Sequence, residues 1–168
     1  MRFWKKKIAA VVLYFLYGAI YQLYKKDTRV KAEIEDWQEG TVFAISACKN
    51  GPVLYLGKKG GRLKRFKNPA KTDVLIEFKS IEIAFVVLTG RMGIAQAYSA
   101  HSFYLKGSVN RTMSLVRCVD LAEGYLFPAF MSRHILKEIP KKQLMTIHLY
   151  GSIVCGMIGG SYRRRNYD

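Results

Sequence analysis

Five short stretches of this chain predict β-strands, and in two of them, around Phe43–Ala47 and Val74–Phe78, large apolar residues alternate with smaller or polar ones. The five stretches are, in order, residues 43–47, 53–56, 62–67, 74–78 and 103–105. Asn50-Gly51 falls in the first gap and Gly60-Gly61 in the second, and both pairs tolerate the positive φ angles of tight turns. The first three strands should therefore form a meander.

Between and after these strands, apolar residues recur at helical spacing. Ser80 can cap a helix over Ile81–Leu88, and a break at Thr89-Gly90 separates it from a second apolar helix. Gly107 should end the fifth strand in a conformation that other residues tolerate poorly, before a helix that begins near Val109. The helix Ile81–Leu88 has more apolar residues than one face against a sheet requires, so we expect it to be fully buried or to contact an apolar ligand.

The predicted order of elements is helix, three strands, crossover, strand, helices, strand and helix. The economical solution is an α+β fold in which a five-stranded sheet is covered on one face by helices. At 168 residues the chain can form one domain with a sizeable core and a terminal extension. We expect an apolar and basic N-terminal helix over residues 1–35, a central domain over 36–127 and a C-terminal helical extension over 128–168.

The N-terminal segment has no charged residue between positions 8 and 24, and lysines flank it on both sides. Tyr14, Tyr17, Tyr21 and Tyr24 form one stripe of the predicted helix, and aliphatic residues form another. Such a helix can pack on the domain, lie in a lipid headgroup layer or span a bilayer, and the three alternatives stay open at this point. The apolar stretch 144–158 raises the same question later in the chain.

The formal net charge of +16 should attract anions. The basic residues are spread over several clusters, and no helix-turn-helix, RNP-type strand or zinc-finger pattern accompanies them. We therefore expect no nucleic-acid partner and favour an anionic membrane surface, because basic clusters beside apolar segments are typical of proteins at that interface. The three cysteines are far apart and odd in number, which indicates reduced thiols in a cytoplasmic protein. The basic clusters beside apolar segments would place this protein at the periphery of a membrane.

No residues in the sequence form a recognisable catalytic or metal-binding pattern. The loop 57–61 has the glycines and lysines of an anion-binding loop, but a hairpin turn also explains them. Ser99 and His101 are close together without the motif that surrounds a nucleophilic serine. Arg117 could lower the thiol pKa of Cys118, whereas a place on the apolar side of a helix would make this cysteine structural. We expect no enzyme activity, no metal and no cofactor.

Five pieces of sequence follow one another in the central part of the chain. They are Asp73-Val74-Leu75-Ile76, the helix end Leu88-Thr89-Gly90-Arg91-Met92, Ala97-Tyr98, Phe103-Tyr104-Leu105-Lys106-Gly107 and Met113-Ser114-Leu115. In this order they resemble the sterol carrier protein-2 (SCP2) lipid-binding domain, whose sequence has the same succession of strands and helix ends. No piece is diagnostic by itself, and the resemblance rests on the ordered set.

The resemblance implies a tunnel between the sheet and the helices that holds a fatty acyl chain, an acyl-CoA or a sterol. The lining residues that it implies are apolar or aromatic: Phe85, Leu88, Ile94, Ala97, Tyr98, Phe103, Leu105 and Met113. An ordinary packed core would also use these residues, and this alternative stays open. We expect non-catalytic binding, or transfer, of a fatty acid, fatty acyl-CoA or sterol. The alternatives are a structural or interaction module whose basic surface docks an anionic membrane or a partner protein, and an accessory domain that supports an enzyme.

Overall fold

A computed structural model of the chain describes residues 2–126, 146–160 and 162. Its helices and strands are, in chain order, α1 (Arg2–Lys26), α2 (Thr28–Glu35), β1 (Val42–Ser46), β2 (Val53–Lys59), β3 (Arg62–Phe66), β4 (Val74–Phe78), α3 (Ile81–Leu88), α4 (Ile94–Ser99), β5 (Phe103–Gly107), α5 (Val109–Leu126) and α6 (Thr146–Ile158). The predicted C-terminal helical extension, residues 128–168, is therefore described only in part, because residues 128–145, 161 and 163–168 lie outside the described ranges.

The five strands form one mixed sheet in the order β3-β2-β1-β4-β5. β1 lies parallel to β4, with Phe43 opposite Val74 and Ile45 opposite Ile76, and every other neighbouring pair is antiparallel. Parallel neighbours cannot be joined by a tight turn, so the chain first completes β2 and β3 and then crosses to the other side of β1. The predicted α+β fold, with a three-stranded meander, a crossover and two further strands, is confirmed.

The core lies on one face of this sheet. Alternate residues of the three central strands are buried there against helices: Phe43, Ile45, Leu54, Leu56, Val74, Ile76 and Phe78. Helix α3 begins at the predicted cap, because the hydroxyl of Ser80 accepts a hydrogen bond from the Ile83 N–H at 3.2 Å. One side of α3 is fully buried, whereas Phe85 and Val86 on its other side are half-buried.

Helix α1 packs against α2, α3, α5 and α6 and against β2 and β3. Its aliphatic stripe is buried, with Leu16, Ile20 and Leu23 at most 4% exposed. In the described part of the chain, α1 is the one helix that is long and apolar enough to cross a bilayer, over Phe3–Lys26. Half of its most apolar window is buried inside the protein. The core helix of a soluble protein and a signal sequence meet the same criteria of length and composition, so these criteria do not decide between the alternatives.

The predicted tyrosine stripe of α1 surrounds one further tyrosine. The ring of Tyr162 lies edge-on to the rings of Tyr14, Tyr17 and Tyr21, with centroid distances of 5.4–6.0 Å. Gly156 of α6 makes room for this ring, because a Cβ at Gly156 would lie 2.4 Å from the Tyr162 hydroxyl oxygen. Gly156 thus allows close packing inside the protein, as glycines also do between helices in membranes.

The glycine-rich loop between β2 and β3 is a hairpin turn whose backbone amides hold a carboxylate. The N–H groups of Gly60 and Gly61 both donate to the carboxylate of Glu39, at 3.2 Å for Gly61. These hydrogen bonds lower the pKa of Glu39. The anion-binding geometry that the glycines indicate therefore exists, but an acidic residue of the chain itself occupies it.

Candidate functional site

The four helices α1, α3, α5 and α6 surround a pocket of about 420 Å³, named the helical pocket below. Its described lining is Val11, Val12, Phe15, Leu16, Leu88, Thr89, Glu123, Leu126 and Tyr150. All of these residues except Thr89 and Glu123 are aliphatic or aromatic. Ligand pockets in proteins commonly have volumes of about 300–1,000 Å³, so the helical pocket is large enough for a small apolar ligand.

The apolar wall of the pocket follows from helical spacing. Val12 and Leu16 are one turn apart on α1, as are Val11 and Phe15, so a continuous strip of α1 faces the pocket. The ring of Tyr150 on α6 contacts the ring of Phe15, with centroids 5.9 Å apart, and its hydroxyl donates to a backbone carbonyl of α5. Because Val11 is 61% exposed, the pocket opens to the surface.

A much smaller cavity adjoins this pocket and borders the sheet. Its volume is about 10 Å³, which is room for about one water molecule. Leu16, Leu88 and Glu123 line both cavities, so these three side chains form the partition between them. On the sheet side the lining includes Ile45 and Ile76. The partition is therefore the part of the helical pocket that lies nearest the core.

Glu123 is the acidic residue of this partition, and it is only 3% exposed. One of its oxygens, Oε2, has no hydrogen-bond partner among the described residues. Burial, together with the negative charge of Asp120, raises the pKa of Glu123 to about 8. Burial likewise raises the pKa of Asp120 to about 6. At pH 7 the Glu123 carboxyl is therefore mostly protonated and carries an O–H group.

Two of the eight residues in the lining that the resemblance implies border these cavities. Leu88 lines both cavities, and Ile94 lines the small one. The other six line neither: Phe85, Ala97, Tyr98, Phe103, Leu105 and Met113. Ala97 is fully buried, whereas Tyr98 and Met113 are 60% and 48% exposed. The described part of the chain does not gather the eight residues around one cavity, and their role in binding a lipid stays a prediction.

Sequence reasoning missed the contribution of α1 to the pocket, and it also missed Glu123. Periodicity marks the stripe of α1 as apolar, but it does not say which helices meet. A signal for Glu123 was present, since it is the one acid in the apolar run 121–127. A lone acid in such a run is costly to bury, so its position there indicates either a partner or a function.

Two side chains that the sequence offers for catalytic chemistry, Cys118 and Ser99, are respectively buried and hydrogen-bonded to the backbone. Cys118 is fully buried, and burial, together with the charge of Glu33, raises the pKa of its thiol to about 12. The guanidinium of Arg117 instead pairs with Glu33, with Nη2 2.9 Å from Oε2. Ser99 donates its hydroxyl to a backbone carbonyl one turn earlier. Within residues 2–126, 146–160 and 162, no three His, Cys, Asp or Glu side chains could hold a metal ion together.

Comparison with known proteins gives likenesses among solved structures. No family model matches the chain, and no curated protein matches it. One similar structure is a "UbiJ-SCP2 Ubiquinone synthesis protein", at 16% sequence identity and a TM-score of 0.47, covering 71% of this chain and 99% of that one. Another is the sterol carrier protein domain 2 of Helicoverpa armigera, at 20% identity and a TM-score of 0.44, covering 64% of this chain and 85% of that one.

The fold resembles that of SCP2 domains. The five ordered motifs of the sequence indicate the same family, and both similar structures are SCP2 domains. At identities of 16% and 20% and TM-scores of 0.47 and 0.44, the likeness concerns the fold alone and carries no argument about ligand or activity. What the chain binds has to be inferred from its own pockets and surfaces.

Proposed function

We propose that this chain binds a lipid non-covalently, without chemical change, and that the hydrocarbon part of the lipid lies in the helical pocket. The observation that carries the proposal is the pocket itself, about 420 Å³ in volume and lined mainly by aliphatic and aromatic side chains. Each methylene group that moves from water into such a lining contributes about 0.8 kcal/mol, so a long chain binds without any ion pair. Fatty acids, fatty acyl-CoA and sterols are the classes that the proposal includes.

An exposed row of apolar side chains beside the pocket supports this proposal, because a lipid has to enter from a membrane or another carrier. Trp4, Ile8 and Val11 lie three or four residues apart on α1 and are 43–68% exposed. Val11 belongs both to this row and to the pocket lining. On α6, Ile147 and Ile158 are each 83% exposed. A lipid that leaves a bilayer at this surface would pass directly into the helical pocket.

Positive charge accompanies the exposed row. Lys5, Lys6 and Lys7 lie in the first turns of α1, and the chain has a net charge of +16. Each lysine near an anionic bilayer contributes about 1 kcal/mol to attachment, and apolar side chains in the headgroup layer add to this. We infer that the protein is peripheral to the cytoplasmic face of a membrane and takes up its lipid there.

Adding a lipid that fits the pocket should raise the melting temperature of the full chain. Such a lipid binds only the folded state, so the stabilisation should reach about 2.7 kcal/mol at a hundredfold excess over the dissociation constant. Replacing Val12, a half-buried lining residue, with tryptophan should fill the space and weaken binding about tenfold or more, equivalent to about 1.4 kcal/mol. Scanning calorimetry with palmitic acid, palmitoyl-CoA and cholesterol measures both effects.

Val154→Trp is the matched control for this substitution. Val154 is 47% exposed on α6 and does not line the pocket, so a tryptophan there should leave the lipid-dependent stabilisation unchanged. An equal loss in both variants would mean that the helical pocket is not the binding site. If none of the three lipids stabilises the parent protein, the proposal is wrong.

Membrane attachment should depend on the exposed row of α1. The double replacement Trp4→Ser and Ile8→Ser removes side chains that are 68% and 43% exposed, so it should not disturb the core. It should weaken binding to vesicles that contain phosphatidylglycerol by about tenfold or more, because two large apolar groups no longer enter the headgroup layer. Salt should also weaken binding of the parent, since it screens the attraction between lysines and lipid. Vesicle co-sedimentation measures both effects.

Tyr104→Ser provides the control for attachment, because Tyr104 is an aromatic residue on strand β5 and is 58% exposed. This variant should sediment with vesicles as the parent does. Co-sedimentation of the Trp4/Ile8 variant at the level of the parent, at every salt concentration, would exclude α1 as the attachment surface.

A further inference from the structure

Glu123 is a buried acidic residue, and within the described part of the chain its carboxyl group does not make all the hydrogen bonds that it could. Its side chain lies in the partition between the helical pocket and the small cavity that borders the sheet. Its Oε2 atom has no hydrogen-bond partner in the described part of the chain, although the residue is only 3% exposed. A buried polar atom without a partner costs free energy, so a ligand group that completes its bonding would bind favourably.

The elements packed around Glu123 contribute no positive charge to the described lining. α1, α4 and the strands contribute only aliphatic and aromatic side chains, α3 and its C-cap contribute Val87, Leu88 and Thr89, and α6 contributes Tyr150. The hydroxyl of Tyr150 already donates to a backbone carbonyl of α5, and burial raises its pKa. Asp120 lies one turn earlier on α5, and its negative charge contributes to the raised pKa of Glu123. Among the described residues, the titratable groups of these surroundings are therefore an acid and a neutral phenol.

These surroundings keep the Glu123 carboxyl protonated near neutral pH. Burial first, and the charge of Asp120 second, raise the pKa of Glu123 to about 8. A protonated carboxyl has an O–H donor in addition to its acceptor oxygens, whereas a carboxylate can only accept. Glu123 therefore offers a hydrogen-bond donor within an otherwise apolar lining.

We propose that Glu123 recognises the polar group of the bound lipid, and that it selects an uncharged lipid by donating its O–H to a hydroxyl or carbonyl oxygen. A long-chain alcohol and a sterol have the chemistry that this arrangement requires. The inference rests on the proposed function, since it needs a lipid in the helical pocket. The hydrocarbon part contacts the aliphatic lining, and the single polar oxygen lies at the partition.

The charges around the pocket favour an uncharged lipid over a charged one. An ionised fatty acid would bring a further negative charge next to Asp120 and Glu123, with no cation in the described lining. A lipid amine would require an ionised Glu123, and both charges would have to leave water. A hydroxyl or carbonyl oxygen requires neither change, because the protonated carboxyl is already a donor.

Lipids that share one alkyl chain and differ in the polar group test this inference. The probes are 1-octadecanol, octadecanoic acid and octadecylamine, with octadecane as the hydrocarbon reference, and the affinity is measured by partition from phosphatidylcholine vesicles into the full chain. At neutral pH the parent should bind 1-octadecanol most tightly of the four. Glu123→Leu removes the donor and keeps an apolar side chain, so it should weaken binding of 1-octadecanol about tenfold, equivalent to about 1.4 kcal/mol, and leave octadecane unchanged.

The pH dependence gives a second readout. In the parent, the affinity for 1-octadecanol should be constant below about pH 7 and should fall as the pH rises through the pKa of Glu123, because the carboxylate has no O–H to donate. Glu123→Gln keeps an N–H donor at every pH. This variant should retain most of the affinity for 1-octadecanol and lose the pH dependence.

Three results would overturn the inference. Equal binding of 1-octadecanol by Glu123→Leu and the parent would mean that the carboxyl does not touch the ligand, as when a water molecule satisfies it. Tightest binding of octadecylamine, increasing with pH, would mean that Glu123 recognises a cation. If the folded parent and both Glu123 variants bind none of the four compounds, the proposed function itself is wrong. This outcome is distinguishable from the other two, because in those the proteins still bind octadecane.

Discussion

Replacing Gly107 with alanine should lower the free energy of unfolding by about 4 kcal/mol or more, and the melting temperature by about 10 °C. Gly107 ends β5 opposite Val74 with a φ angle of +113°, a conformation that residues with a side chain rarely adopt. A Cβ there would lie 2.1 Å from the backbone carbonyl oxygen of Asp73. A flexible side chain can relieve such a clash by changing its rotamer, but backbone atoms cannot. The pairing of β4 with β5 would therefore have to shift. Thermal and urea unfolding measure the loss.

Gly61→Ala separates the effect of the φ angle from the effect of the close contact. Gly61 also has a positive φ angle, +66°, but no atom lies within 4 Å of the position of its Cβ. Alanine at position 61 should therefore lower the free energy of unfolding only through the unfavourable φ angle, by about 1–2 kcal/mol. If the two variants lose the same stability, the contact with Asp73 is not the reason why position 107 requires glycine.

Replacing Asp27 with alanine should lower the free energy of unfolding by about 3 kcal/mol. Asp27 is 1% exposed and caps α2, since its Oδ1 accepts a hydrogen bond from the Arg29 N–H at 2.9 Å. Its Oδ2 accepts from the Arg29 guanidinium at 2.7 Å and from the Tyr125 hydroxyl at 2.8 Å. Loss of the cap contributes about 1 kcal/mol, and loss of the buried hydrogen bond that the Tyr125 hydroxyl donates to Asp27 adds about 1–3 kcal/mol. Urea unfolding at neutral pH measures the difference.

The same contacts predict how acid affects stability. Burial raises the pKa of Asp27, but the hydrogen bonds from Arg29 and Tyr125 outweigh burial and hold the pKa below its ordinary value of 3.8. A group whose pKa is lowered by folding stabilises the protein above the unfolded pKa, and this stabilisation is lost as the pH falls through the folded pKa. Below about pH 4 the parent should therefore lose stability more steeply than Asp27→Ala does.

Glu35→Ala in the same helix is the control for both measurements. Glu35 forms an exposed ion pair with Lys31, with 3.7 Å between Nζ and Oε1. Exposed pairs of this kind contribute about 0.3–0.5 kcal/mol, so the variant should unfold almost as the parent does at each pH. Parallel pH profiles for the parent and Asp27→Ala would show that Asp27 does not carry the acid dependence.

The strands and turns of this fold could be predicted because their signals are local. The alternation at Phe43 and Ile45 predicts a strand whether or not the neighbouring strand is known. Asn50 adopts the positive φ angle, +59°, that its turn requires. The parallel pairing of β1 with β4 could not be predicted in the same way, because no residue of either strand indicates which strand lies next to it. The meander, the crossover and the two further strands could be predicted, but which strand of the meander pairs with β4 could not.

The helical pocket could not be predicted in this way, because it depends on contacts between distant parts of the chain. Val12 and Tyr150 line the same pocket from α1 and α6, and in the sequence each is only one apolar or aromatic position among several in its helix. The resemblance placed the lining around α4 and β5 instead, where Ala97 is fully buried and Tyr98 is exposed. Only Leu88 belongs to both the implied lining and the helical pocket.

The contact between α1 and α6 also sets the earliest time at which a newly made chain can complete the helical pocket. Gln22 donates to the Ser152 carbonyl at 3.1 Å, and Lys26 donates to the Ser152 hydroxyl at 2.7 Å, across 126–130 residues of sequence. Ribosomes add about 5–20 residues per second, so roughly 6–26 s pass between the synthesis of the two partners. Throughout that interval the nascent chain carries α1 without the helix that covers it, and one wall of the pocket does not yet exist.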